Sequence, residues 1–210
     1  MNKLRVPAMV ATALLLGGCG DKPSPKTPPA PTTAATPAAP VTTAAPTAEA
    51  PPPEEAVSAA SAPLEVKLLA RSGSKLTGSV TLSAVQGGVK VAVAVQNVPP
   101  GKHGCHIHDN ADCSAADGSS AGGHFNPGGH DHGLPDGKRH LGDLGNIEVG
   151  ADGSGKIEVV IQGANLEPGD PHSFLGRGII VHDKEDDGGQ PTGNAGGRIG
   201  CGEIVAPPAG

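Results

Sequence analysis

Between residues 64 and 205 the chain repeats short segments in which apolar and polar positions alternate or β-branched residues follow one another. A period of two places every second side chain on the same face of an extended chain, so each segment predicts a β-strand. Gly, Pro, Asn and Asp separate the segments, as in QGG, VPPG and ADGSG, and these residues are typical of turns. The predicted strands are LEVKLLA, KLTGSVTLSAV, GVKVAVAVQNV, HGCHIH, LGNIEV, GKIEVVI, GIIVHD and CGEIV.

None of these segments shows the sustained 3.6-residue period of a helix. Eight short strands joined by turns predict an all-β domain, either an antiparallel β-sandwich or a flattened barrel. The segment NIEVGADGSGKIEVVI predicts a hairpin with a turn-rich loop. Residues 109–143 and 183–198 form two long glycine-rich excursions, and loops of this length without structure of their own usually carry function.

The first residues have a different pattern. MNKLRVPAMVATALLLGGC combines two early cations with an apolar run that ends at Leu16 and is too short to span a membrane stably. We therefore predict a secretory signal peptide over residues 1–18. LLGGC resembles a lipobox, which would make Cys19 a lipidated N-terminus; the alternative is an ordinary signal cut near Gly18.

Residues 19–62 are dominated by Pro, Ala and Thr and lack apolar periodicity, so we expect a disordered tether after the lipidated cysteine. Residues 63–206 suit one domain, followed by a short tail at 207–210. A lipid anchor would hold this domain in the cell envelope, in the periplasm or on the outer membrane. The net charge of −6 argues against nucleic acid as a partner, because phosphate binding needs clustered cations.

Histidine changes this picture of a plain β domain, because seven of the nine histidines fall between His103 and His140. In a strand, His106 and His108 share one face. His124, His132 and His140 follow at intervals of eight residues, in and around the first long excursion. Such a concentration of imidazoles predicts a metal site.

A carboxylate and one further imidazole complete the set. Asp143 lies three residues after His140, and His182 ends a predicted strand. Six histidines and one carboxylate exceed a single tetrahedral site, so we infer two metals. The all-imidazole site suits copper, and the site that includes a carboxylate suits zinc.

The motifs HGCHIHDN, GGHFNPGGHDHG, RHLGDLGN, GRGIIVHDKEDD and GNAGGRIGCG resemble the copper–zinc superoxide dismutases in order, spacing and context, over nearly all of residues 64–205. This resemblance implies an eight-stranded antiparallel Greek-key β-sandwich or flattened barrel with two long functional loops. It also implies conversion of superoxide to O2 and H2O2 by ping-pong redox cycling of copper. The implied copper ligands are His106, His108, His124 and His182, and the implied zinc ligands are His124, His132, His140 and Asp143.

The resemblance assigns further roles. His124 would bridge both metals, and Arg198 would guide the superoxide anion. Asp186 would accept hydrogen bonds from His106 and His132 and so link the two sites. Cys113 and Cys201 would form a disulfide.

One cysteine and three histidines are left without a role in these sites. Strand alternation directs Cys105 into the core, and pairing it with Cys113 would distort the strand that carries His106. The resemblance makes His103 structural. His130 has no family counterpart, so we interpret it as a bystander in the loop, and His172 as a surface residue.

Two other functions remain open at this point. A tethered copper or zinc reservoir would use the same histidines without turnover, although Arg198 is not needed for storage. A cell-wall or interaction protein would explain the tether but not the histidines. Relatives of this kind include monomers and several dimers, so a homodimer stays open.

Overall fold

The computed structural model describes residues 62–206, so the predictions for the signal peptide, Cys19, the tether and the C-terminal tail lie outside the described residues. Eight strands and one short 3-10 turn, η1 (Ser119–Ala121), are present in the described part. The strands are β1 (Leu64–Ala70), β2 (Thr77–Val85), β3 (Gly88–Gln96), β4 (Gly101–His108), β5 (Asp143–Val149), β6 (Gly155–Gln162), β7 (Arg177–His182) and β8 (Arg198–Ile204).

The strands pair antiparallel into a closed barrel in the order β1-β2-β3-β6-β5-β4-β7-β8. The chain leaves the first meander after β3 and returns through β6, which is a Greek-key connection and confirms the predicted fold. The ladder between β1 and β8, which closes the barrel, contains two residue pairs, whereas β1 and β2 share five. The closing ladder between the first and last strands is therefore narrow, as is the two-pair ladder between β5 and β6.

All eight predicted strands are present, and the largest difference is at β8. This strand begins at Arg198, three residues before the predicted segment CGEIV, because Arg198 pairs with His182 at the end of β7. The predicted hairpin is also present, since Glu148 pairs with Lys156 and Val149 with Gly155. A third long loop, residues 163–176 between β6 and β7, was not singled out by the sequence pattern.

Small aliphatic side chains fill the barrel. Along β2 and β3 the alternate residues Val80, Leu82, Val91 and Val93 are buried, while their neighbours face outward. Each buried Val or Leu contributes roughly 1.5–3 kcal/mol through removal of apolar surface from water. The two aromatic rings of the chain, Phe125 and Phe174, meet edge to face with centroids 6.2 Å apart.

Strands β4 and β7 depart from simple alternation, because both of their faces are buried. The loops that follow them, residues 109–142 and 183–197, fold back over the outer face. A β-bulge interrupts the β4–β5 ladder between Cys105 and His106, and a second one interrupts the β7–β8 ladder between Val181 and His182. Bulges redirect side chains, and each of these two immediately precedes a histidine.

A disulfide between Cys113 and Cys201 joins the first long loop to β8, as the resemblance implied. Cys105 is a free thiol with no exposed surface, packed in the main apolar core as strand alternation predicts. No helix among residues 62–206 has the length and apolar character needed to cross a membrane.

Candidate metal centre

Two groups of potential ligands lie side by side on the outer face of β4 and β7, beneath the two long loops. In each group the ligand atoms all lie within 4.8 Å of one another. The first group comes from β4, β7 and the first long loop, and the second comes from that loop and the start of β5. The groups are His106, His108, His124 and His182, and His124, His132, His140 and Asp143.

His124 belongs to both groups and lies between them. Its ring centroid is 4.1 Å from that of His106 and 5.3 Å from that of His132. The residue is placed by a short bridge in which His108 pairs with His124, so the loop returns directly across the end of β4. One imidazole ring therefore has the position needed to face two ions.

Asp186 links the two groups through hydrogen bonds to one histidine of each. Nε2 of His106 donates to Oδ2 at 2.8 Å, and Nε2 of His132 donates to Oδ1 at 2.9 Å. These contacts are those expected of Asp186. Gly193 packs directly over the carboxylate with φ 75°, and a side chain at that position would collide with Asp186 and with Nε2 of His132.

Asp186 and His132 are themselves held by two amide side chains that the sequence did not single out. Asn146 accepts from the backbone N–H of Asp186 at 2.8 Å and donates to its carbonyl at 2.9 Å. Gln190 makes the same two-way contact with the backbone of His132, at 3.1 and 2.8 Å. Asn146 ends the motif RHLGDLGN and Gln190 lies in no motif, and only three-dimensional contact reveals the role of either amide.

Five of the ring nitrogens that face the two groups are buried and lack hydrogen bonds to any described residue, whereas Nδ1 of His124 lies 3.0 Å from Asp143 Oδ1. Nδ1 of His132 and Nδ1 of His140 lie 3.0 and 3.3 Å from oxygens of Asp143 without forming hydrogen bonds. The opposite nitrogens of His108 and His182 donate to the carbonyls of Gly122 and Gly196 at 3.0 and 3.2 Å. Buried polar atoms without partners are rare in folded proteins, so several of them converging in one place indicate a ligand. The unpartnered atoms are His106 Nδ1, His108 Nε2, His132 Nδ1, His140 Nδ1 and His182 Nε2.

Burial favours the neutral form of His108 and His182. Desolvation lowers the pKa of His108 to about 2 and that of His182 to about 3, and the positive charge of Arg198 adds to this effect. Burial alone would raise the pKa of the Asp186 carboxyl, but hydrogen bonds from His106 and His132 outweigh it and hold that pKa below its usual range. Neutral imidazoles beside an ionised carboxylate are the protonation states in which these residues bind metals.

Arg198 lies beside the all-histidine group. Its guanidinium donates to the carbonyls of Gly118 at 2.8 Å and Gly122 at 2.7 Å, and the same Gly122 carbonyl accepts from His108. The guanidinium is thus fixed next to a histidine of the first group by one shared acceptor. Burial lowers the pKa of Arg198 from its ordinary value, and the group remains a cation.

The turn between β1 and β2 holds Arg198 in place from the other side. The Ser72 hydroxyl donates to the Arg198 carbonyl at 2.8 Å, and the Ser74 hydroxyl donates to the Ile199 carbonyl at 2.6 Å. Arg71 donates to the carbonyl of Cys113, which ties the same turn to the disulfide loop. These contacts join segments more than forty residues apart, so the sequence alone could not predict them.

The remaining histidines lie outside both groups. His103 is buried, with its ring nitrogens 2.8 Å from the His182 carbonyl and 2.9 Å from the Pro99 carbonyl. It therefore supports the backbone of His182 rather than facing the groups. His130 and His172 are exposed on loops.

The sequence model of the copper/zinc superoxide dismutase family matches residues 76–204. The chain belongs to the copper/zinc superoxide dismutase family. It is 42% identical over 125 residues to a putative copper–zinc superoxide dismutase of Autographa californica nuclear polyhedrosis virus, covering 56% of this chain and 82% of the viral protein.

Solved structures of the family give the same fold. A SOD-like protein from Bacillus subtilis is 35% identical, with a TM-score of 0.60, and covers 67% of this chain and 97% of that protein. The clock protein EA4 is also 35% identical at a TM-score of 0.60, covering 69% of this chain and 97% of that protein. Family and fold together support superoxide dismutase activity.

Membership of the copper/zinc superoxide dismutase family implies copper and zinc as cofactors, and the two groups fit both ions. Four imidazoles, three of them with buried unpartnered nitrogens, match the ligand preference of copper. Three imidazoles and the buried carboxylate of Asp143 match a closed zinc site. The donors therefore differ between the two groups in the way that the two ions require.

Proposed function

We propose that the chain is a superoxide dismutase that converts two superoxide anions and two protons to O2 and H2O2. In this proposal copper binds to His106, His108, His124 and His182, and zinc to His124, His132, His140 and Asp143. One observation carries the assignment: five buried, unpartnered imidazole nitrogens converge on two points that share His124.

Copper, when bound, supplies a centre that accepts one electron from a first superoxide and gives one electron to a second. The protein supplies the rest. The Arg198 guanidinium, fixed by the carbonyls of Gly118 and Gly122, attracts and orients the anion beside His108. A local positive charge is needed to attract the superoxide anion, because the whole chain carries a net charge of −6.

His124 supplies a proton to the reduced substrate. Its Nδ1 faces the zinc group, where it lies 3.0 Å from Asp143 Oδ1, so its Nε2 is the atom that faces the copper group. We propose that Nε2 takes up a proton in one half of the cycle and releases it to the reduced substrate in the other. Asp186 keeps His106 and His132 in the tautomers that leave their Nδ1 atoms free for the ions.

The decisive experiment compares metal-loaded wild-type protein with Arg198→Ala. We expect one copper and one zinc for each chain in both proteins, by mass spectrometry of the metals. The kcat/KM of Arg198→Ala should be about 10-fold lower, because an oriented local charge raises association rates by this order. A tethered metal reservoir would show no turnover in either protein, and that result would refute the proposal.

We further propose that this activity protects the cell envelope from superoxide outside the cytoplasm. The support is the sequence of residues 1–62, in which LLGGC ends at Cys19 and a Pro/Ala/Thr-rich segment follows. A lipid on Cys19 would anchor the protein to a membrane in the periplasm or on the outer membrane. Palmitate labelling and membrane fractionation should detect the wild-type chain in the membrane fraction, whereas Cys19→Ser should be unlabelled and soluble.

A further inference from the structure

His140 differs from the other clustered histidines in what its second ring nitrogen contacts. The Nε2 atoms of His106 and His132 bind Asp186, and the Nδ1 atoms of His108 and His182 bind backbone carbonyls. Nδ1 of His140 faces the zinc group, and no residue between 62 and 206 accepts a hydrogen bond from its Nε2. A metal-binding histidine usually donates its second N–H to a carboxylate, a carbonyl or water, and for His140 no described residue supplies that acceptor.

The free edge of His140 faces a groove. The residue is only 7% exposed, and its Nδ1 is fully buried, so the exposed edge of the ring is the one opposite the zinc group. This edge lines a groove of about 610 Å³ between the loop after β4 and the end of β6. The acceptor of the Nε2 proton is therefore what occupies the groove, which is water until a ligand with acceptor oxygens replaces it.

The groove carries positive charge in a protein that is negative overall. Its lining includes Lys138, Arg139, His130 and His172, and no aspartate or glutamate is among the described residues that line it. Lysine and arginine donate strongly to oxyanions, and an arginine can bind two oxygens of one phosphoryl group. The groove therefore selects for an anion with several acceptor oxygens.

Hydrogen bonds hold the backbone of both rims of the groove and the side chain of Arg139. The Asn126 side chain accepts from the His130 backbone N–H at 3.0 Å and donates to its carbonyl at 2.8 Å. On the opposite rim, the backbone N–H of His172 donates to Asp170 Oδ1 at 2.7 Å. Arg139 donates one guanidinium N–H to the Pro135 carbonyl, which leaves its other donors available. Little ordering of these segments is needed when a ligand binds.

We propose that this groove binds a phosphoryl group and that one of its oxygens accepts the proton on His140 Nε2. The groove would then provide the acceptor that the protein lacks and would tighten metal binding at the second ligand group. The proposal rests on the proposed function in one respect only, namely that His140 binds zinc through Nδ1. Because binding free energies are reciprocal, zinc should in turn strengthen phosphate binding by the same factor.

The first test measures binding of inorganic phosphate to the full metal-loaded chain by calorimetry. A Lys138→Gln/Arg139→Gln variant should bind phosphate at least about 10-fold more weakly, because two charge-assisted donors are lost. A matched Lys67→Gln/Lys75→Gln variant removes two exposed cations from β1 and the turn after it, which contribute no residue to the groove, and should bind as the wild type does. Equal weakening in both variants would overturn the proposal, because it would reduce the effect to overall charge.

The second test measures zinc retention against a chelator, in phosphate and in chloride of the same ionic strength. Phosphate should raise the apparent zinc affinity of the wild type by about 10-fold and leave that of Lys138→Gln/Arg139→Gln unchanged. With copper reduced, the Nε2–H resonance of His140 should shift on addition of phosphate. A resonance that does not move, or a zinc affinity that does not change, would contradict the proposal.

A third arm separates the sources of the phosphoryl group. Cys19→Ser protein is mixed with phosphatidylglycerol or phosphatidylcholine vesicles, so that no lipid anchor contributes. Binding to phosphatidylglycerol that depends on Lys138 and Arg139 would identify a lipid headgroup, and binding of inorganic phosphate alone would identify the free ion. Binding of neither would refute the proposal.

Dismutase activity is measured in the same samples. If activity is absent while phosphate still tightens zinc binding, the proposed function fails and the groove proposal stands. If activity is normal while phosphate has no effect on zinc, only the groove proposal fails.

Discussion

The two halves of the barrel differ in whether their outer faces are exposed to water or covered by loops. Strands β1, β2, β3 and β6 bury one face in the apolar core and expose the other, as in the exposed and buried alternation of β2. Strands β4 and β7 bury both faces, because the loops at 109–142 and 183–197 cover their outer side. The first half is a scaffold of hydrophobic contacts, and the second half is a buried polar site.

This difference determines what stabilises each half. A buried valine needs only close neighbours, whereas a buried imidazole or carboxylate needs a hydrogen-bond partner or an ion, since an unpartnered polar group costs roughly 1–3 kcal/mol. In the second half those partners come from distant segments, such as Asn146 for Asp186 and Gly118 for Arg198. The polar half therefore depends on loops and bound ions, and the apolar half does not.

The largest effect should come from cutting the covalent link in the polar half. Cys113→Ser/Cys201→Ser opens a loop of 88 residues and should lower the free energy of unfolding by about 4 kcal/mol, because the unfolded chain gains freedom. Urea denaturation of the metal-free protein measures this change. Wild-type protein with the bond reduced serves as the control and should unfold at the same urea concentration as the double variant.

A core truncation in the apolar half should come next. Leu82→Ala removes a fully buried side chain from β2 and should cost about 3 kcal/mol of unfolding free energy. Copper and zinc content of the loaded protein should stay at the wild-type value, because β2 contributes no ligand. Loss of metal from this variant would show that the two halves are not separable.

Changing Asp186, which links the two ligand groups, should lower metal affinity more than it lowers the free energy of unfolding. Asp186→Asn keeps the shape but weakens the acceptor for His106 and His132, and metal affinity should fall by about 10- to 100-fold. Chelator competition measures this affinity. Asp187→Asn changes the neighbouring exposed carboxylate and should retain both metals; an equal loss in that control would contradict the role of Asp186.

The smallest effect should come from the turn between β1 and β2. Ser72→Ala removes one hydrogen bond to the Arg198 carbonyl, so we expect a loss of about 1 kcal/mol in stability and a kcat/KM up to about 5-fold lower. Metal content should not change. Ser79→Ala removes an exposed hydroxyl that has no hydrogen bond to residues 62–206, and its kcat/KM should equal that of the wild type.

The contrast between the apolar half and the polar half also explains how much could be predicted from the sequence. Alternation and β-branched runs together located every strand, and alternation is clearest in the apolar half because one face of each strand there lies in water. It also placed Cys105 in the core. The fold and the family followed from motifs whose spacing brings the histidines together, and the structure assembles those residues into two groups.

What could not be predicted was the support of the site. Asn146 ends a motif that assigned it no role, and Gln190 and Ser72 lie in no motif. Each of the three acts through a backbone atom at least forty residues away. Backbone acceptors leave no pattern in the side-chain sequence. β8 begins earlier than predicted for a similar reason, since a backbone contact with a distant segment, the pairing of Arg198 with His182, extends the strand.

The narrow ladder between β1 and β8 has a consequence for how the molecule can open and associate. Residues 64–68 form no ladder with β8 within the described chain, so their backbone amides on that side should exchange with solvent first. The same edge offers a template on which a foreign strand could assemble. Glu65 and Lys67 are exposed there, and their charges oppose such stacking.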